Sequence, residues 1–203
     1  CRQGRRKYRQ RHATGSVYAF DASGNALPNW PQNLNETING AVALADLDGD
    51  GVLDVIAAGS QVCFGCGTGG VLAAFNGDGL PLAGWPVDVE ANVQSAPAVG
   101  DIDNDGFPEV VLHGYTKVYA FNHDGSRVFG WPYRYSSGHT PPILVDYDGN
   151  GAYEILAVST DGARLIGGRG FLIHGFSLLG GINYSYAAMG EVDGVGAPEF
   201  CAG

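Results

Sequence analysis

A chain of 203 residues with 45% hydrophobic and 16% charged residues can bury a core and is too apolar to remain disordered. Its net charge of −10 conceals an asymmetry: Arg2, Arg5, Arg6, Lys7, Arg9 and Arg11 place six of the 11 basic residues in the first thirteen, and from residue 14 onward five basic residues face 21 acidic ones. That acidic remainder excludes nucleic acid as a partner of the folded part, because a phosphate backbone would be repelled. No apolar run approaches the ~18 residues of a spanning helix, so no membrane span is expected. Residues 1–15 read as a basic leader, a frayed segment or fragment edge, and residues 16–203 as the folded part. The 33 glycines and 10 prolines are spread along the chain, which predicts many turns between short strands and an all-β fold.

The first element, VYAFDASGNALPNWP from Val17, returns as VLAAFNGDGLPLAGWP from Val71 and VYAFNHDGSRVFGWP from Val118. Phe20, Phe75 and Phe121 keep step with the turn glycines Gly24, Gly79 and Gly125 and with Trp30, Trp85 and Trp131. A fourth copy without the tryptophan keeps the length, with Ile166, Gly170, Gly175 and Phe176 in the places of Phe121, Gly125, Gly130 and Trp131. Between these hairpin segments lie four acidic ones, whose first acids Asp46, Asp101, Asp146 and Glu191 are 55, 45 and 45 residues apart. The longer interval holds SQVCFGCGTGG, an insertion in which Cys63 and Cys66 are expected to close a small disulfide ring, with free thiols or a metal as the alternatives.

Each unit reads as four short strands, and in the one beginning at Pro97 these are Pro97–Gly100, Pro108–His113, Val118–Phe121 and Arg127–Trp131. A four-stranded unit of about 45 residues has the size of one propeller blade. The expected fold is therefore an all-β propeller of four-stranded blades. It is either a closed four-bladed ring, in which the N-terminal strands complete the blade opened near Ala188, or part of a longer propeller.

The acidic segments have the pattern D-x-D-x-D-G-x-x-[DE]. Ca²⁺ takes six to eight oxygens at flexible angles, so acids at alternate positions of a tight loop, a backbone carbonyl at position seven and a carboxylate at nine can wrap it. The predicted ligands are Asp46, Asp48, Asp50, Val52 and Asp54; then Asp101, Asp103, Asp105, Phe107 and Glu109; then Asp146, Asp148, Asn150, Ala152 and Glu154, for about three Ca²⁺ ions. Gly51, Gly106 and Gly151 allow the sharp turn at position six. An EF-hand is excluded by the flanking strands and by Ala57, Leu112 and Ala157 at position twelve, where a bidentate Glu belongs. The fourth loop, Glu191, Asp193, Val195 and Glu199, carries an apolar side chain at position five and is expected to bind weakly or not at all.

A repeated D-x-D-x-D-G-x-x-[DE] between strands at blade spacing resembles the FG-GAP or VCBS repeats of integrin α-subunit propellers and of bacterial surface and secreted proteins. The resemblance spans about Ser16 to Gly203. It implies structural rather than catalytic acids, with calcium at the propeller rim and ligands bound on a face or between blades. The function expected is a non-enzymatic extracellular, cell-surface or periplasmic module that recognises a glycan or a protein, partnered by the rest of a longer propeller or by further copies. A Trp at one place in every unit reads as core between units, with stacking on sugars as the alternative. The competing class is the propeller of a secreted enzyme: VYAFDASGNALPNW is similar to the repeat of quinoprotein dehydrogenases, and some polysaccharide lyases carry calcium-loop propellers. Ser23 in place of Thr and the longer Trp spacing depart from that pattern. His12, His113, His123, His139 and His174 are scattered and read as ordinary loop residues.

Overall fold

The computed structural model describes residues 15–60, 69–136, 138, 140–177, 187–190, 192, 196 and 198–202. Residues 1–14 of the basic leader, Cys63 and Cys66 with the ring expected of them, His12, His139 and the Glu191, Asp193 and Val195 positions of the fourth loop lie outside the described residues. Among the described residues there is no helix, and every sheet is antiparallel. β1 (Ser16–Val17) pairs with β2 (Gln32–Asn33). Three four-stranded meanders follow. The first is β3 (Ala43–Ala45), β4 (Asp54–Ser60), β5 (Gly70–Phe75) and β6 (Val87–Val89); the second is β7 (Ala98–Gly100), β8 (Glu109–Gly114), β9 (Lys117–Phe121) and β10 (Tyr133–Arg134). The third is β11 (Ile143–Val145), β12 (Glu154–Ser159), β13 (Gly162–Ile166) and β14 (Leu172–Phe176), and β15 (Ala187–Gly190) pairs with β16 (Glu199–Ala202). The repeat read in the sequence is thus a repeat of sheets, cut so that β1–β2 is the outer half of a unit and β15–β16 the inner half. These two halves form separate sheets.

The fourth strand falls later than the hydrophobic pattern predicts. Arg127–Trp131 makes one bridge, Arg127 to Phe121, and then turns; the strand itself follows the Trp-Pro dipeptide, as β10. The residue before each tryptophan has positive φ, 62° at Asn29, 83° at Gly84 and 93° at Gly130, which no β-strand continues. The corner sends the indole into the next unit. Trp30 Nε1 donates to Gly77 O at 3.2 Å, Trp85 to His123 O at 2.9 Å and Trp131 to Gly168 O at 2.6 Å. All three rings are buried, so the tryptophans are core between units and are not free to stack on sugars.

Third strands explain why both sides of a unit are apolar. In β9, Tyr119 and Phe121 face the preceding sheet, joining Leu82, Trp85 and Val89. Val118 and Ala120 face the following one, joining Trp131, Ile155 and Ile166. Second strands β8 and β12 are buried along their whole length, which is why they read as continuous apolar runs. First strands β3, β7, β11 and β15 lie side by side in succession.

Candidate metal centre

Each acidic loop joins a first strand to a second, and its conformation follows from four positions. Position one caps the loop: Asp46 Oδ1 accepts from Gly49 N–H at 2.8 Å and Oδ2 from Gly51 N–H at 2.9 Å, Asp101 does the same for Asn104 and Gly106 at 2.6 and 3.0 Å, and Asp146 Oδ2 accepts from Gly151 at 3.1 Å. Position five holds the loop mouth: Asp50, Asp105 and Asn150 accept from the N–H groups of Val52, Phe107 and Ala152 at 2.7, 2.8 and 2.8 Å. Position six is the expected left-handed glycine, at φ 86°, 92° and 93° for Gly51, Gly106 and Gly151; Gly196, at 93°, keeps the same turn in the fourth loop. Position nine reaches back across the loop, so that Asp54, Glu109 and Glu154 accept from the N–H groups of Leu47, Ile102 and Tyr147 at 2.8, 2.9 and 2.7 Å.

Two further positions escaped the sequence reading. Position four is also left-handed, 77° at Gly49, 64° at Asn104 and 75° at Gly149, and the signal was the choice of Gly, Asn and Gly, residues that tolerate that region. Position two anchors the first two loops, with Leu47 and Ile102 fully buried in the cores on either side. His113, read as a loop residue, is instead buried in β8 with its ring stacked on Tyr135 at 5.7 Å.

The predicted ligands gather as follows. Asp101, Asp103 and Glu109 each bring an oxygen within 4.8 Å of the others, as do Asp146, Asp148 and Glu154; in the first loop the group is Asp46, Asp48 and Asp50. Asp54 stands outside that group, its side chain being one methylene shorter than the Glu at the same position of the other two loops. Asp105 lies outside the second group. Buried Asp54, Glu109 and Glu154 are all pushed above the ordinary carboxylate range, first by burial and then by the neighbouring acids; Glu109 is pushed to about 7. Glu109 Oε1 and Asp146 Oδ1 are buried with no hydrogen-bond partner. Orphaned carboxylate oxygens beside two further acids, with only oxygen donors around them, are the environment a hard divalent cation neutralises. The residues fit Ca²⁺.

Between the second and third loops lies an open groove of about 550 Å³, lined by Asp103, Asn104, Asp148, Asn150, Arg169 and Phe171 among others. Arg169 stands in the hairpin turn where the two preceding units carry Asp78 and Asp124.

Residues 101–157, which run from the second acidic loop to the middle of β12, match the model of the FG-GAP-like repeat. That segment carries an FG-GAP-like repeat. No curated protein matches the chain. Among solved structures, the V. cholerae biofilm matrix protein Bap1 is similar at 24% identity with a TM-score of 0.59, over 83% of this chain and 28% of that one. The chain therefore shares a fold with a protein of which it spans little more than a quarter. A protein of unknown function from Bacteroides caccae aligns at 15% identity with a TM-score of 0.47, over 88% of this chain and 58% of that one.

Proposed function

We propose that the FG-GAP-like units form a β-propeller stabilised by Ca²⁺ in its first three acidic loops, and that the module acts outside the cell in adhesion, recognising a glycan or a protein. The observation that carries the reading is the second loop, where Glu109 is buried with one unpartnered oxygen beside Asp101 and Asp103. A fold that depends on a cation there is suited to a compartment rich in calcium. The ring-like arrangement is supported by the first strands, which succeed one another as inner strands do around a propeller axis. The fold shared with a biofilm matrix protein supports an extracellular setting. No helix among the described residues is long and apolar enough to cross a membrane. The groove between the second and third loops is the place assigned to the ligand, its volume within the ~300–1,000 Å³ of ordinary binding clefts.

In this reading the chain's own residues do the positioning. Position-one acids hold the loop closed, position-nine carboxylates tie it to the core, and the bound cation supplies the positive charge that lets these acids approach. Titrating calcium-free protein with CaCl₂ in a calorimeter tests the metal assignment, and about three sites are expected. A glycan array probed with and without calcium tests the recognition. Absence of calcium binding would end the proposal at the level of the fold.

A further inference from the structure

Three Asn-Gly dipeptides occur in the chain, Asn39–Gly40, Asn76–Gly77 and Asn150–Gly151, and the last fills positions five and six of the third acidic loop, where the first two loops carry Asp-Gly. Asn-Gly is the pair at which a side-chain amide lies open to attack by the next backbone nitrogen, because glycine puts no Cβ in the way. Around Asn150 the fold adds the parts of an acyl-transfer site. Gly151 N–H, on the attacking atom, donates to Asp146 Oδ2 at 3.1 Å, so a proton acceptor is already in place. Asn150 Oδ1, the oxygen on which negative charge develops in such an attack, accepts from Ala152 N–H at 2.8 Å. Asn150 is exposed, and a Cβ added to Gly151 would meet nothing within 4 Å, which leaves water free to enter.

We propose that Asn150 is a self-modification site: in the metal-free third loop Gly151 N attacks Asn150 Cγ, and the amide leaves as ammonia. The N–Cγ bond forms as Cγ–Nδ2 breaks, and the proton shed by Gly151 passes through Asp146 Oδ2 to the departing nitrogen. The product is a cyclic succinimide, which water then opens. Addition at Cγ restores an ordinary backbone with an acid at position five, as in the first two loops. Addition at the backbone carbonyl leaves isoaspartate, whose extra backbone carbon breaks the spacing of the loop's ligands. Asp50 and Asp105 sit in the same pair of hydrogen bonds, with Gly51 and Gly106 donating to Asp46 and Asp101 at 2.9 and 3.0 Å and Val52 and Phe107 to the side chains themselves at 2.7 and 2.8 Å. An ionised carboxylate is a poor electrophile and has no ammonia to release, so those loops do not react. On the reading that the third loop holds Ca²⁺, a bound ion engages Asp146 and Asn150 and protects the amide; only this protection rests on the metal assignment.

The full chain is kept in EDTA, with circular dichroism to follow the fold, and sampled by mass spectrometry of the tryptic fragment Tyr135–Arg164, in which Asn150 is the only amide side chain; fragmentation assigns the sites. Exchange of the amide for an acid at Asn150 should run at least about tenfold faster than at Asn39 and Asn76, and faster than at Asn150 in urea, where the three dipeptides should react alike. Asp146→Asn, which keeps a hydrogen-bond acceptor but not a base, should bring Asn150 down to the rate of the other two. If Asp146→Asn does not fold, the comparison of folded chain with urea decides alone. Equal rates at Asn150 in EDTA and in urea, an Asn150 no faster than Asn39 and Asn76, or a calcium-free chain that does not hold its fold overturns the proposal. In CaCl₂ the reaction at Asn150 should slow by a similar factor; a fast reaction undiminished by calcium upholds the self-modification and removes the metal from the third loop.

Discussion

In the proposed metal centre, Glu109 is the residue at which cation and proton would compete. Its carboxyl is held near 7 in the metal-free fold against an ordinary value of 4.5, so the fold binds a proton that the unfolded chain has already released. Its contribution to the stability of metal-free protein therefore falls as pH rises from about 4.5 to 7. Denaturant unfolding in calcium-free buffer at several pH values checks the slope, which has the opposite sign to that of an ordinary salt-bridged carboxylate. Glu109→Gln separates the two states further. An amide keeps the acceptor for Ile102 N–H without the buried charge, so the metal-free protein should be stabilised. The calcium affinity of the second loop should fall roughly ten- to a hundredfold, the worth of a bond to a charged ligand. A loss of stability in both states would refute this account of the site. At Cys63 and Cys66 the expectation remains a closed ring, and alkylation of unreduced protein should modify the exposed Cys201 while sparing that pair.

Among the elements, the Trp-Pro corner ties each unit to the next through a buried indole and its hydrogen bond. Trp85→Ala removes a buried ring and leaves His123 O without its donor, and should cost roughly 3–5 kcal/mol by thermal or urea unfolding. Two glycines with nearly equal φ separate strain from crowding. Gly24, at φ 85° with open space around it, should lose only about 1–2 kcal/mol on change to Ala. Gly84, at φ 83°, would place a Cβ 1.9 Å from Asp124 O, so Gly84→Ala must displace a whole turn and should lose distinctly more. Equal effects would mean that the corner does not bear on the turn.

These elements also show what the sequence could reveal. The acidic loops were legible because nine consecutive residues supply every group of interest, so spacing alone implies proximity. The burial of the tryptophans was legible from their recurrence. The fourth strand was misplaced because Val128 and Trp131 are apolar for the sake of the next unit, and hydrophobic pattern does not say which neighbour a residue serves. Position four was overlooked because Asn104 hides a left-handed backbone behind an ordinary polar residue. The groove beside Arg169 was invisible because it joins loops 45 residues apart.

For the whole molecule, the dependence on calcium should be collective. Stripping the metal should lower the melting temperature of the wild-type chain, and Asp103→Ala should lower it by a smaller step, because units that touch only their neighbours add their stabilities. An unchanged melting temperature in EDTA would remove calcium from the structural account. Position two gives this coupling a mechanical meaning. Leu47 and Ile102 plug the cores between sheets while their backbone N–H groups are held by the last acid of the loop. A pull on the ends of such an array tends to peel one sheet from the next, and the plug can leave only if the loop opens. Divalent cation concentration should then set the force at which successive sheets detach, so that optical-tweezer traces show lower rupture forces in chelator and steps of about one unit's length in either condition.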